Sequence, residues 1–162
     1  METIYQTAED LKKIMSSLPV PLTIVTAESL GKKRGVTISS FTSLSMNPPL
    51  VTFNIDCKTQ FCSIIRHTEH FAVHFPSHQH ERLCKRFATS GLTEQEQFKD
   101  IDFFENEYGV PVFKDISSVI FCQKVDEIKV EDHLIFVGKV TEVYHSEDSP
   151  NLLYHKKLFK HI

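Results

Sequence analysis

The sequence has no glycine-rich phosphate loop, no CxxC pair, no apolar run long enough to cross a membrane and no excess of basic charge. Each absence excludes a class of protein. A Rossmann-type dinucleotide site needs a G-x-G-x-x-G fingerprint after a strand, so any nucleotide bound here is held in another way. Four scattered cysteines, Cys57, Cys62, Cys84 and Cys122, read as free thiols, not as a disulfide framework. The N-terminal METIYQTAEDLKK lacks the basic start and apolar stretch of a signal peptide. A membrane helix needs about 18 apolar residues in a row. The expectation is a cytoplasmic protein with no membrane segment. Eighteen Lys plus Arg against 21 Asp plus Glu give a formal charge of -3, without the basic footprint of a nucleic-acid binder. Only 5 Gly and 7 Pro in 162 residues exclude collagen-like and low-complexity chains.

What is present is ordinary globular composition, 41% hydrophobic and 24% charged, in a length that suits one domain over residues 1–162. Thr7 and Asp10 resemble a capping box, and Leu11, Ile14, Met15 and Leu18 then recur at helical spacing, predicting a helix within residues 1–18 that Pro19 ends. From Pro21 the texture is β. PLTIVTA and GVTISSFTSLS read as a hairpin whose tip carries Lys32, Lys33 and Arg34, and LVTFNI reads as a further strand. Phe61, Ile64 and Ile65 predict a short helix. HFAVHFP alternates as a strand, after which Ser77 caps a helix through Leu83, Cys84 and Phe87 that Gly91 ends. Residues 92–115 are polar with scattered phenylalanines and read as a surface excursion with a short helix, not as a core element. SVIFCQKVDEIKV and LIFVGKVTEVYHS, joined at Glu131, Asp132 and His133, read as a long two-stranded arm. Six or seven strands, few short helices and no βαβ rhythm predict a closed or partly closed antiparallel barrel over about residues 19–160.

The histidines and cysteines do not fit a metal site. Four residues separate Cys57 from Cys62 and again Cys62 from His67, wider than the tight ligand pairs of structural zinc. A Ser-His or Cys-His nucleophile has no local motif in its favour, which leaves hydrolase a weak alternative. The unusual feature is the hydroxyl-rich run Thr37, Ser39, Ser40, Thr42, Ser43 and Ser45. On a continuous strand Thr37 and Ser39 share one face while Ser40 and Thr42 share the other. Such a row either pairs across strands or offers hydrogen bonds to a flat polar ligand.

GVTISSFTSLSMNPPLVTFNI resembles the signature of the flavin reductase-like, FMN-binding split-barrel family. HFAVHFPSHQHERLCKRFA, EDHLIFVGKVTEV and NLLYHKKLF resemble, in the same order, the family's F-x-V-N strand with its R-F-A helix, its G-D-H-x-x-x-x-G-x-V hairpin and its L-x-Y-x-x-x-x-F tail. The resemblance covers about residues 18–160. It implies a mainly β, antiparallel split barrel of Greek-key type with a few short peripheral helices, assembled as a homodimer. It also implies an NAD(P)H-dependent flavin reductase that uses NADH or NADPH as co-substrate and FMN or FAD as flavin, and that supplies reduced flavin to a partner monooxygenase. Hydride transfer between stacked rings needs positioning and not a catalytic acid-base pair, in keeping with the missing triad. Carried over by position, the resemblance assigns flavin contacts to Thr37, Ile38, Ser39, Ser40, Asn54, Lys58, Thr59, Ser63, Arg86 and Tyr154, and a nicotinamide contact to His133. Glu131 stands where the family has glycine and His74 where it has asparagine. These departures raise a second reading, an FMN-binding module of the same fold that acts as electron carrier or sensor without nicotinamide turnover.

Overall fold

A computed structural model describes residues 8–146 and 150–160; the proposed Thr7 cap lies outside them. Helix α1 (Ala8–Ser16) leads into a short strand β1 (Val20–Pro21). The main sheet is built from β2 (Thr23–Ser29), β3 (Lys32–Ile38), β4 (Thr42–Met46), β5 (Pro49–Asp56), β6 (His70–His74), β9 (Val119–Val130) and β10 (His133–Tyr144). Between them lie α2 (Gln60–Ile65), a 3-10 turn (His78–His80), α3 (Glu81–Phe87), α4 (Glu94–Phe98), and the small hairpin β7 (Phe103–Glu105) with β8 (Pro111–Phe113). The chain closes with β11 (Leu153–His155) and β12 (Leu158–Lys160), which form a three-stranded sheet with β1.

The seven-stranded sheet runs in the order β3-β2-β6-β9-β10-β5-β4, with every pairing antiparallel. Its two edge strands, β3 and β4, are consecutive in sequence, with only residues 39–41 between them. In a flat sheet at about 4.8 Å per strand those edges would stand about 29 Å apart. The four peptide steps from Ile38 to Thr42 reach about 14 Å. The sheet therefore curls on itself, and the barrel is split between β3 and β4. This is the antiparallel split barrel that the resemblance implied.

Alternation along each strand fills the interior. Val51, Phe53 and Ile55 of β5 point inward with Phe71 and Val73 of β6, Ile120 and Cys122 of β9, and Leu134 and Phe136 of β10. Helix α2 joins this core through Phe61, Cys62 and Ile65. Phe53 stacks on Phe136 at 5.6 Å and meets Phe71 edge-on at 5.4 Å. Gly138 is required by this packing: a Cβ there would lie 2.3 Å from the Phe71 ring. Burial raises the Cys122 thiol, and likewise Cys84 on α3, to about 12.

Four local expectations are corrected. Lys32, Lys33 and Arg34 are not at a loop tip but within β3; the turn is Leu30-Gly31, whose φ values of 53° and 77° suit a two-residue hairpin. The hydroxyl-rich run is not one strand. Its chain leaves the sheet after Ile38, and Thr42–Met46 pairs with β5 on the far edge. Helix α3 ends at Phe87 with Ala88 as its cap, before Gly91. Most consequential, residues 92–115 are not a mere excursion. Phe98 and Phe113 join Leu22, Ile24, Cys84, Phe87, Ile116 and Leu152 in a second core outside the barrel. Helix α4 also covers the exposed edge of β3: Glu94 accepts from Lys33 N, and the buried Gln97 side chain both accepts from Gly35 N and donates to Gly35 O. Such covering protects an open strand edge from pairing with other chains.

Candidate functional site

The split and the elements beside it form a cleft of about 400 Å³ between β3, the loop after β5 and the turn after α3. Of the residues assigned to flavin, Thr37, Lys58 and Thr59 line it. The Thr37 hydroxyl is engaged internally, donating to Cys84 O at 2.7 Å and so holding α3 against β3. Thr59 caps α2, accepting from Cys62 N at 3.1 Å. Asp56 Oδ1 accepts from Lys58 N at 2.8 Å, which fixes the turn that presents the lysine. The Lys58 ammonium has no ion pair among the described residues.

Ser39, Ser40 and Asn54 lie on the split itself. Ser40 Oγ accepts from Asn54 N at 3.0 Å and lies 3.3 Å from Asn54 O, stitching the linking segment to β5. Ser39 and Asn54 are exposed, and their side chains make no hydrogen bond among the described residues. Phe41 anchors the same segment edge-on against Phe75 at 5.6 Å. Ile38 points into the barrel core, so only its backbone is available at the split.

Three assigned residues stand apart from the cleft. Ser63 donates to Gln60 O at 2.7 Å on the outer side of α2. Arg86 donates to Lys99 O, tying α3 to the end of α4. Tyr154 packs edge-on with Phe159 at 5.4 Å beside the second core. None of the three lines the cleft.

His133 opens β10, directly across from Asp56. Its Nδ1 lies 2.8 Å from Asp132 Oδ1, and that hydrogen bond, with the charge of His133, holds the Asp132 carboxyl below its usual range. Cys57 N donates to Asp132 O at 2.9 Å, which fixes this turn next to Lys58. Glu131 adopts φ 51°, a left-handed conformation that glycine takes without strain. The substitution of the family's glycine therefore leaves a backbone of glycine type under His133.

His74, the other departure, is fully buried and faces away from the cleft. Its Nδ1 donates to Ile24 O at 3.1 Å, and its Nε2 accepts from Phe113 N at 3.3 Å. Its ring lies 4.6 Å from that of Phe113. Burial lowers its pKa to about 4, so it is neutral. It connects β2 and β6 to β8.

The sequence reading missed the hydroxyl turn after α3. Thr89 and Ser90 line the cleft, as do Gln60 and Gln97. The signal was the cluster A-T-S-G directly after R-F, a polar turn too small to pack. The donor set, one ammonium with hydroxyls and amides, fits a polar, anionic ligand. Lys58 and Ser90 are unengaged in the cleft, whose volume is within the range of small-molecule sites, and Ser39 and Asn54 are unengaged on the split.

Residues 15–162 match the flavin reductase like domain family. The chain is 32% identical over 145 residues to a flavin reductase of Pseudomonas putida, covering 88% of this chain and 84% of that protein. It is 32% identical over 155 residues to an NADH:FMN oxidoreductase of Rhodococcus qingshengii, covering 92% and 79%. The crystal structure of the flavin reductase HpaC complexed with NADP+ superposes with a TM-score of 0.88 at 31% identity, over 96% of this chain and 98% of that one. The curled sheet, its split and the sequence motifs around the split thus have one common explanation: the chain belongs to the flavin reductase-like domain family.

Proposed function

We propose that this protein is an NAD(P)H-dependent flavin reductase that binds FMN or FAD along the split and passes hydride from NADH or NADPH to it. The observation that carries the reading is the cleft lined by the unengaged Lys58 and Ser90, with the exposed and unengaged Ser39 and Asn54 on the adjoining split and His133 across from the cleft-lining Asp56. When bound, the two ring systems themselves supply the hydride chemistry. The chain's own part is placement. The backbone from Ile38 to Ser40 runs along the rim of the split, where its amides and carbonyls can meet ring heteroatoms. Lys58, with the hydroxyls of Ser39 and Ser90, holds the anionic end, its charge and their donors suited to phosphate oxygens. His133, oriented by Asp132, presents Nε2 to the nicotinamide side. Asn54 contributes an amide at the ring edge.

Ser63, Arg86 and Tyr154 reach a ligand only if it extends beyond the cleft or a second copy contributes. A homodimer is supported by the apolar face of α1, where Leu11 is 53% and Met15 52% exposed, too apolar to be left in water. Delivery of reduced flavin to a monooxygenase is supported by a relative in Rhodococcus opacus, 29% identical over 152 residues, that is the reductase component of a 4-nitrophenol monooxygenase. A cytoplasmic setting is compatible with the helices: among the described residues none is long and apolar enough to cross a membrane.

The test is aerobic oxidation of NADH and NADPH with added FMN or FAD. Flavin-dependent turnover is expected. Tight flavin binding without nicotinamide oxidation would overturn the reductase and leave the carrier or sensor module.

A further inference from the structure

A second cavity, about 620 Å³ and so larger than the flavin cleft, lies elsewhere on the molecule. It lies on the outer wall of the barrel, bounded by the β7–β8 hairpin, β6 and the far halves of β9 and β10. Nothing in the proposed hydride transfer uses it. Its walls combine two features.

The first is aromatic surface open to solvent. Phe104 is 48%, Tyr108 50% and Tyr144 57% exposed, and all three line the cavity. Phe121 and Tyr144 stand at 90° with centroids 5.8 Å apart, forming two walls of a corner. The Tyr108 ring is fixed from behind by His70, stacked at 3.7 Å and 5°. The turn that carries it is rigid: Asn106 Oδ1 accepts from both Tyr108 N and Val110 N at 3.0 Å, and Gly109 takes φ 76° to complete it. These rings are therefore pre-positioned.

The second is unbalanced negative charge. Glu107 and Glu142 line the cavity and form no ion pair among the described residues. Tyr144 Oη donates to Glu142 Oε2 at 3.3 Å. Glu107 and Glu142 both act on Tyr108, holding its phenol above the usual range, so the two carboxylates share one neighbourhood. The one lysine on the wall, Lys114, lies 2.8 Å from Asp102, which offsets its charge. Aromatic faces attract cations, and more strongly where water is partly excluded.

We infer that this cavity is a binding site for a small organic cation, an ammonium or quaternary ammonium on an apolar body. The cationic head sits between Tyr108 and Tyr144 against Glu107 and Glu142. The apolar body lies on Phe104 and Phe121. An anion is repelled by the two carboxylates, and a neutral ligand of the same shape forgoes the attraction of both rings and charges.

The probe is benzyltrimethylammonium, titrated into the full-length protein by calorimetry, with choline and its neutral isostere 3,3-dimethylbutan-1-ol as the charge test. Saturable binding of benzyltrimethylammonium is expected, with choline preferred over the isostere by about tenfold. Glu107→Gln combined with Glu142→Gln weakens it about tenfold, as does Tyr144→Ala, whereas Tyr144→Phe keeps the ring and most of the binding. Lys58→Ala, in the flavin cleft, leaves probe binding unchanged. The melting temperature of each variant separates lost binding from lost folding. No saturable binding, equal binding of the isostere, or loss of binding in the Lys58 variant would overturn the site. So would a change in oligomeric state in the Glu107/Glu142 variant without probe binding, since the cavity would then hold part of a second copy.

Discussion

The closed wall of the barrel and the split edge are made by the same sheet, yet they treat their polar groups in opposite ways. On the wall most buried polar groups are engaged: both ring nitrogens of His74 are bonded and Gly138 yields its side-chain space to Phe71, while the buried hydroxyls of Thr23 and Thr52 lack a hydrogen-bond partner. At the split, Ser39, Asn54, Lys58 and Ser90 are open to solvent. Stability resides where polar groups are internally satisfied, and ligand chemistry resides where they are not. Substitutions should accordingly fall into two sets, with little overlap between effects on unfolding and effects on turnover.

The largest effect should come from the wall. Gly138→Val places a branched side chain into the Phe71 ring, against a Cβ distance of 2.3 Å; a loss of about 3 kcal/mol or more is expected in urea unfolding, or failure to fold. A comparable effect follows from pH. His74 is held at about 4 against 6.5 when unfolded, so the unfolded chain takes up a proton that the folded chain refuses. Its contribution is fully present above pH 6.5 and is lost as pH falls toward 4, about 3 kcal/mol in total at roughly 1.4 kcal/mol per unit. His74→Asn should flatten that part of the acid limb in unfolding midpoints measured from pH 7 to 4, and an unchanged slope would assign the acid sensitivity elsewhere. Gln97→Ala leaves the Gly35 N–H and C=O without partners and should cost about 2 kcal/mol, read as a lower melting temperature.

The split should behave in the other way. Lys58→Ala is expected to raise the KM for FMN about tenfold while the melting temperature without flavin stays within about a degree, as for an exposed charge. The smallest effect is expected from Asp132→Asn, which weakens the orientation of His133: a few-fold rise in the KM for NADH with the flavin KM unchanged. If instead Lys58→Ala unfolds the protein, or Gly138→Val alters only kinetics, the division between wall and split is wrong.

Much of this architecture was legible in the sequence because period-2 alternation is strong wherever one face meets a core. The strands at β5, β6, β9 and β10 follow from Phe53, Phe71, Ile120 and Phe136 recurring among polar neighbours. What periodicity cannot show is which strand edges meet. Thr37 through Ser45 reads as one strand, and only sheet closure separates it into two edges of the barrel. Residues 92–115 misled for a related reason. Phe98 and Phe113 lie far apart in a polar segment and cover a core that forms only once β2 and α3 are in place. The site was legible through motif resemblance more than through chemistry. Local spacing could not tell the open Lys58 from Arg86, which is engaged with a backbone carbonyl, nor could it show that Glu131 holds a glycine-like conformation.

The link of residues 39–41 joins the two edges of the sheet, and it also carries Ser39 and Ser40. Holding a ligand there and keeping the barrel curled are then one event, coupled through mass action. Each tenfold excess of flavin over its dissociation constant should add about 1.4 kcal/mol to the work of opening the sheet. Amide hydrogens along β3 and β4, strands that share no ladder, should slow their exchange together as flavin is added, because the same bound molecule clasps both rims.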